Sequence, residues 1–185
     1  MKEYSDKEKQ ILRQLAIQSI DYGLKHHSEM PIDIKDYPEN LREMRASFVT
    51  LNINGQLRGC IGSLEAYRPL VEDIASNAYA AAFLDPRFYP LSAEELTNIN
   101  IHIAILSEPE PMQFTSEEDL IKQLRPGVDG LILSDNGYKG TFLPAVWESL
   151  PEPTQFLSQL KLKAGLLEDY WADTITVYRY TTVTI

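Results

Sequence analysis

Apolar residues recur at helical intervals in several parts of the chain. Between residues 5 and 27 they follow near-helical spacing, and Ser5 with Glu8 has the spacing of a capping box, so we predict a first helix that ends near His26 and His27. Further helices are predicted from proline or serine starts followed by apolar stripes, over residues 69–83, 116–124 and 153–165, and Ser92 with Glu95 offers a second capping box for one or two helical turns.

Other segments have the composition and the turns of β-strands. Asn54–Gly55 and Asn136–Gly137 are the residue pairs that best tolerate positive φ in a two-residue turn, so each predicts a hairpin. The predicted strands are residues 47–53, 56–62, 99–105, 130–134, 138–142 and the β-branched run 174–185. Helices and hairpins are interspersed without regular alternation, which predicts an α+β fold with an antiparallel or mixed sheet and flanking helices. No linker or repeat marks a boundary, so we expect a single domain over residues 1–185, either undivided or built from two packed lobes.

Composition and charge exclude several classes of function. The 185 residues carry a net charge of −10, and such a field repels phosphate backbones, so we expect no binding to nucleic acid. No apolar stretch approaches the length of a membrane span, and the first residues lack the core of a secretory signal, so we expect a soluble cytoplasmic protein. With one cysteine and three histidines, we expect no disulfide, metal or cofactor.

The predicted strand at residues 56–62 holds the candidate chemistry. If the hairpin has a two-residue loop, Leu51 lies opposite Arg58 and Val49 opposite Cys60, so that Arg58 and Cys60 share a face. An arginine on a covered strand needs a carboxylate, a set of carbonyls or an anionic ligand, and Asp85 is a candidate partner. The two glycines of this strand would allow a ligand or another backbone to approach closely.

Cys60 can be interpreted in two ways. A lone cysteine in a strand is typical of a small buried hydrophobic residue. As a nucleophile it would need a base or a positive charge, and Arg58 two positions away would favour the thiolate. No histidine lies beside it in the sequence, so the sequence leaves both interpretations open.

These residues, Leu57, Arg58, Gly59, Cys60, Ile61 and Gly62, spell a hexapeptide that resembles the hallmark of the AMMECR1 domain family. Three further blocks follow in the order typical of the family: residues 85–91 around Asp85 and Arg87, residues 140–147 and residues 163–166. The resemblance covers residues 45–166 and implies an α+β domain of two lobes with a cleft beside the hexapeptide. The sequence departs from the family at Lys139, where arginine is common, and a lysine ammonium lacks the planar fork that binds an anion through two parallel hydrogen bonds.

The resemblance leaves three functions open. The first is a binding module for a small anionic ligand or for a Memo-like protein and a radical SAM protein, the AmmeMemoRadiSam association of the family. The second is an enzyme or enzyme component that uses Cys60 and Arg58 on an anionic small-molecule or protein substrate. The third is a purely structural packing motif. We expect any binding site to comprise the hexapeptide with Asp85, Arg87, Lys139, Gly140 and Thr141.

Overall fold

The computed structural model describes residues 3–185 of the chain. They form two compact units: unit 1 contains the residues up to Leu106 together with Val183–Ile185, and unit 2 contains Ser107–Thr182. Each unit holds a four-stranded sheet, and the two antiparallel sheets with their helices confirm the predicted α+β class. No helix among the described residues is both long enough and apolar enough to span a bilayer.

Unit 1 is a sheet covered on one face by two helices. Its elements are α1 (Asp6–His26), β1 (Ser47–Ile53), β2 (Gln56–Gly62), α2 (Leu70–Phe83), α3 (Ala93–Leu96), β3 (Ile99–Leu106) and β8 (Thr182–Thr184). The strands lie in the order β2-β1-β3-β8, so β2 is an edge strand. Val49, Leu51 and Ile103 point from the sheet into a core shared with apolar side chains of α1 and α2. Burial of this face is the main stabilising term of the unit.

Local sequence signals explain where the elements of unit 1 begin and end. At the start of α1, the backbone N–H of Ser5 donates to Glu8 and that of Glu8 donates to the Ser5 hydroxyl, which confirms the predicted capping box. Asn54 and Gly55 have φ of 53° and 78°, as the turn between β1 and β2 requires. Both features depend on contacts within a few residues along the chain, so the sequence predicts them without knowledge of the tertiary fold.

Unit 2 packs a second sheet against helix α5. Its elements are β4 (Glu110–Pro111), α4 (Glu117–Gln123), β5 (Gly130–Asp135), β6 (Tyr138–Phe142), α5 (Pro153–Ala164) and β7 (Thr176–Tyr180). The strand order is β4-β7-β5-β6. In its core, the rings of Trp147 and Phe156 stack with centroids 3.8 Å apart. The predicted hairpin around Asn136 and Gly137 is confirmed, with φ of 46° and 89° at these residues.

One prediction for the end of the chain is wrong. The run of residues 174–185 was expected to form one strand, but it forms two: β7 pairs with β4 and β5, whereas β8 joins the sheet of unit 1. At the break between them, Thr181 leaves the strand geometry, its N–H bonding the Ser107 hydroxyl and its C=O the Ser107 N–H. β-branched residues favour extended backbone, but they do not specify which sheet it joins.

Candidate functional site

The edge strand β2 contains a β-bulge at Arg58. Next to the turn, Asn52 pairs with Leu57, but the following residue of β1, Leu51, pairs with Gly59. Arg58 is therefore the extra residue of the bulge. The predicted pairings of Leu51 with Arg58 and of Val49 with Cys60 are wrong, because the bulge shifts the register by one position. The strand alternation thus no longer places Arg58 and Cys60 on one face.

The bulge directs Gly59 towards helix α2. A Cβ atom at this position would lie 2.1 Å from the carbonyl oxygen of Ala81, so only glycine allows the helix to pack so closely on the strand. A Cβ at Gly62 would likewise lie 2.3 Å from the ring of Phe48. The space beside both glycines of the hexapeptide is therefore occupied by other parts of the protein and is not open to a ligand.

Asp85 and Arg87 satisfy the outer edge of β2 at Cys60. The Cys60 N–H donates to Asp85 Oδ2 at 2.9 Å, and Arg87 Nη2 lies 3.4 Å from the Cys60 carbonyl oxygen. Asp85 is buried and also accepts from Arg87 Nε and Nη2 at 2.9 and 2.6 Å. The Arg87 guanidinium, together with the backbone N–H groups of Cys60 and Arg87, holds the pKa of Asp85 well below its usual range. The carboxylate thus stays charged and joins the strand to the segment after α2.

Arg58 is bound by Glu95 and not by Asp85, the partner that the sequence suggested. Its Nε donates to Glu95 Oε1 at 2.6 Å, and its Nη2 donates to Glu95 Oε2 at 3.0 Å and to the Tyr89 carbonyl at 2.9 Å. This contact and the N–H of Ser92 lower the pKa of Glu95 to about 2. Arg58 Nη1 is buried without a partner among residues 3–185.

Phe88 lies against both guanidiniums. Its ring centroid is 5.7 Å from Arg58 Cζ and 5.5 Å from Arg87 Cζ, within the range of a cation–π contact. Large side chains in the same two segments of the chain are exposed, with Tyr89 at 90%, Leu84 at 59% and Leu57 at 44%. About half of the Arg87 side chain is exposed too. We call this surface the edge patch and define it as Leu57, Leu84, Arg87, Phe88 and Tyr89.

The Cys60 thiol lies on the face of the sheet that carries Thr50. Its Sγ is 3.2 Å from Thr50 Oγ1, and Thr50 is paired in turn with His102 on β3. His102 is therefore on the same face, but two strand spacings separate it from Cys60, roughly 10 Å. Within the described residues, no His, Asp or Glu side chain forms a hydrogen bond to Sγ. A threonine hydroxyl does not act as the base that a nucleophilic cysteine needs.

The remaining predicted residues lie in unit 2, and two of them are packing residues. A Cβ on Gly140 would lie about 3.0 Å from Ala164, so this glycine allows α5 to lie close to β6. Thr141 Oγ1 donates to the Leu131 carbonyl at 2.8 Å and lies 3.0 Å from the Tyr180 hydroxyl. Lys139 lines a surface hollow of about 280 Å³ at the turn of the second hairpin.

Three groups that contact Arg58 were not identified from the sequence: Glu95, the Tyr89 carbonyl and Phe88. Glu95 was recognised only as a capping-box residue, although a carboxylate has a second oxygen that a nearby arginine can use. In that cap, the Ser92 N–H donates to Glu95 Oε2 at 2.8 Å and leaves Oε1 for Arg58. Across residues 3–185, no group of three His, Cys, Asp or Glu side chains is placed to hold a metal ion.

Comparison with known proteins agrees with this architecture. The profile of the AMMECR1 family matches residues 13–185. A protein of Methanothermobacter thermautotrophicus is 40% identical over 151 residues, which cover 78% of this chain and 77% of the relative. A protein of Thermotoga maritima is 42% identical over 147 residues, which cover 78% of this chain and 79% of the relative.

A solved structure is similar over nearly the whole chain. The crystal structure of uncharacterized protein PH0010 from Pyrococcus horikoshii superposes with a TM-score of 0.90 at 34% identity, covering 97% of this chain and 91% of that one. Both the sequence profile and the fold therefore agree with the resemblance carried by the hexapeptide. The chain belongs to the AMMECR1 family.

Proposed function

We propose that this protein is a cytoplasmic partner-binding module and that the edge patch is its docking surface. The observation that carries the proposal is the contact of the Phe88 ring with two guanidiniums, each of which is bound to a carboxylate. Aromatic and arginine side chains are enriched where partners bind most tightly, and exposed apolar groups such as Leu84 and Tyr89 beside them form the rest of such a surface.

The ion pairs make the patch rigid before any partner arrives. Glu95 fixes Arg58 through two hydrogen bonds, and Asp85 fixes Arg87 in the same way. Ordering a long side chain on binding costs about 0.5–1.5 kcal/mol, and residues that are already ordered avoid this cost. A preorganised arginine and aromatic pair therefore favours recognition.

Arg87 also favours a ligand that carries a carboxylate or another anionic group. Asp85 engages its Nε and Nη2, but 53% of the side chain stays exposed. The pair with Asp85 offsets its charge, but the exposed N–H groups of the guanidinium can still donate hydrogen bonds to a carboxylate of a partner or of a small anionic ligand. The family resemblance suggests a Memo-like protein and a radical SAM protein as the first partners to test.

The surroundings of Cys60 favour a binding role for the protein and not a catalytic role for this thiol. The thiol contacts Thr50, and its hydrogen-bond environment among the described residues contains no side chain able to remove its proton. Arg58 is engaged by Glu95 and the Tyr89 carbonyl, so binding a substrate anion there would require breaking an existing ion pair.

The test is binding of purified partners to variants of the patch. We expect the double variant Leu84→Ala, Tyr89→Ala to weaken association with a Memo-like or radical SAM protein at least about tenfold, equivalent to about 1.4 kcal/mol. Tyr67→Ala, at a tyrosine that is 60% exposed outside the patch, serves as the matched control and should leave binding unchanged. Full-strength binding by the double variant, or no association at micromolar concentration, contradicts the proposal.

A further inference from the structure

The sheet of unit 1 has an open edge at the first half of β3. Ile103 and Ile185 exchange two backbone hydrogen bonds, of 3.0 and 2.8 Å, so β8 pairs with the second half of β3 only. Beside Ile99 to His102, no strand lies on that edge among residues 3–185. The other edge of the same residues is paired with β1.

Strand geometry fixes which backbone groups face the open edge. In an antiparallel strand, alternate residues direct both N–H and C=O to the same side. Because Ile103 points its backbone groups towards β8, Ile101 points its own groups to the same side, beyond the end of β8. An unpaired N–H and C=O on one residue is the template on which another strand adds.

A groove of about 450 Å³ runs beside this open edge. Apolar side chains from α1, α3, β3 and the residue after β8 form its walls, namely Ile17, Leu96, Ile99, Ile101 and Ile185. Ile17 is 47% exposed, so much of its apolar side chain is accessible at the wall of the groove. The groove has the size and lining of a binding site and would receive side chains that alternate along an extended segment.

Three polar side chains line the same groove without a partner. The side chains of Arg13, Asn100 and His102 form neither a hydrogen bond nor an ion pair with any of the described residues. Other arginines of unit 1, such as Arg58 and Arg68, bind carboxylates. A free guanidinium at an apolar groove, on a chain of net charge −10, is complementary to an acidic group.

We propose that this groove binds an extended peptide segment of a partner protein that carries an acidic side chain, and that the peptide adds to β3 as a strand beyond β8. The backbone of Ile101 supplies two main-chain hydrogen bonds, the isoleucines receive alternate apolar side chains, and Arg13 binds the carboxylate. A small apolar anion would use the side chains of the groove but could not pair with both backbone groups of Ile101. The groove shares no residue with the edge patch.

The probe is a fluorescein-labelled hexapeptide of alternating valine and threonine that ends in an amidated aspartate. We expect saturable binding by fluorescence anisotropy, with shifts of the Ile99 and Ile101 amide signals in NMR spectra. Ile17→Asp and Arg13→Glu should each weaken binding about tenfold or more. Lys7→Glu makes the same charge change on the exposed surface of α1 outside the groove and should leave binding unchanged.

A second peptide, methylated on alternate backbone nitrogens, isolates strand pairing from side-chain contacts. We expect it to bind at least about tenfold more weakly, because methylation removes the donors that pair with β3. Equal affinity for both peptides overturns strand addition, and so does the absence of amide shifts at Ile99 and Ile101 at about 1 mM peptide. Tyr89→Ala should bind the peptide normally, so this result is separable from the test of the edge patch.

Discussion

Replacing Glu95 with glutamine removes the carboxylate that binds Arg58. The pKa of Glu95 is lowered from 4.5 to about 2, chiefly by Arg58 and then by the Ser92 N–H. At about 1.36 kcal/mol per pKa unit, this difference is equivalent to about 3 kcal/mol. Because 32% of the Glu95 side chain is exposed, solvent screening reduces the contribution, and we expect Glu95→Gln to destabilise the protein by about 1–2 kcal/mol at pH 7.

The pH dependence of this loss separates the ion pair from other effects. A carboxyl whose pKa is lower in the folded state stabilises the protein above its unfolded pKa, and that contribution is lost as the pH falls through the folded value. The difference between wild type and Glu95→Gln should therefore be fully present above pH 4.5 and shrink towards zero as the pH approaches about 2.

Urea unfolding followed by far-UV circular dichroism measures this difference, since the two longest helices lie in unit 1. Tryptophan fluorescence serves as an internal control, because Trp147 and Trp171 both lie in unit 2. A double-mutant cycle with Arg58→Met should give a coupling energy of about 1 kcal/mol at pH 7 and about a quarter of that near pH 2.5. An equal effect of Glu95→Gln at both pH values would refute the reasoning.

Three further changes test the hexapeptide and its contacts. Gly59→Ala places a Cβ 2.1 Å from the Ala81 carbonyl oxygen, so we expect a loss of about 1–3 kcal/mol in thermal unfolding; a loss below about 0.5 kcal/mol would show that the helix shifts freely. Asp85→Asn weakens the contact with Arg87, and hydrogen exchange of the Cys60 amide should accelerate about tenfold or more; an unchanged rate contradicts this assignment. Cys60→Ala should cost less than about 1.5 kcal/mol and retain partner binding, whereas loss of binding in the folded variant would favour a chemical role for the thiol.

The hairpins were predictable because their turns are encoded locally. Asn54 and Gly55 adopt positive φ through their own backbones, and no distant contact is needed to specify that turn. The bulge was not predictable, because it depends on the close approach of Gly59 to Ala81 in a helix that lies further along the chain. Hydrophobic periodicity therefore located β2 but misassigned the faces of its residues.

The chemistry of the candidate site was partly predictable. That Arg58 needs a carboxylate follows from the cost of burying an unpaired guanidinium. The same argument does not identify which carboxylate binds Arg58, because Asp85 and Glu95 both lie in the segment after α2. The fold of that segment decides the pairing: Arg87 follows Asp85 closely enough to engage it, and the cap at Ser92 positions Glu95 for Arg58.

The side-chain cover on the outer edge of β2 has a consequence for self-association. Asp85 and Arg87 occupy the outward N–H and C=O of Cys60, so a strand from another molecule cannot pair there. Growth of a sheet from molecule to molecule requires two accessible edges on each subunit. In the sheet of unit 1, as residues 3–185 describe it, the β3 side offers the open edge, so copies that paired through this sheet would form a closed dimer and not a continuous sheet.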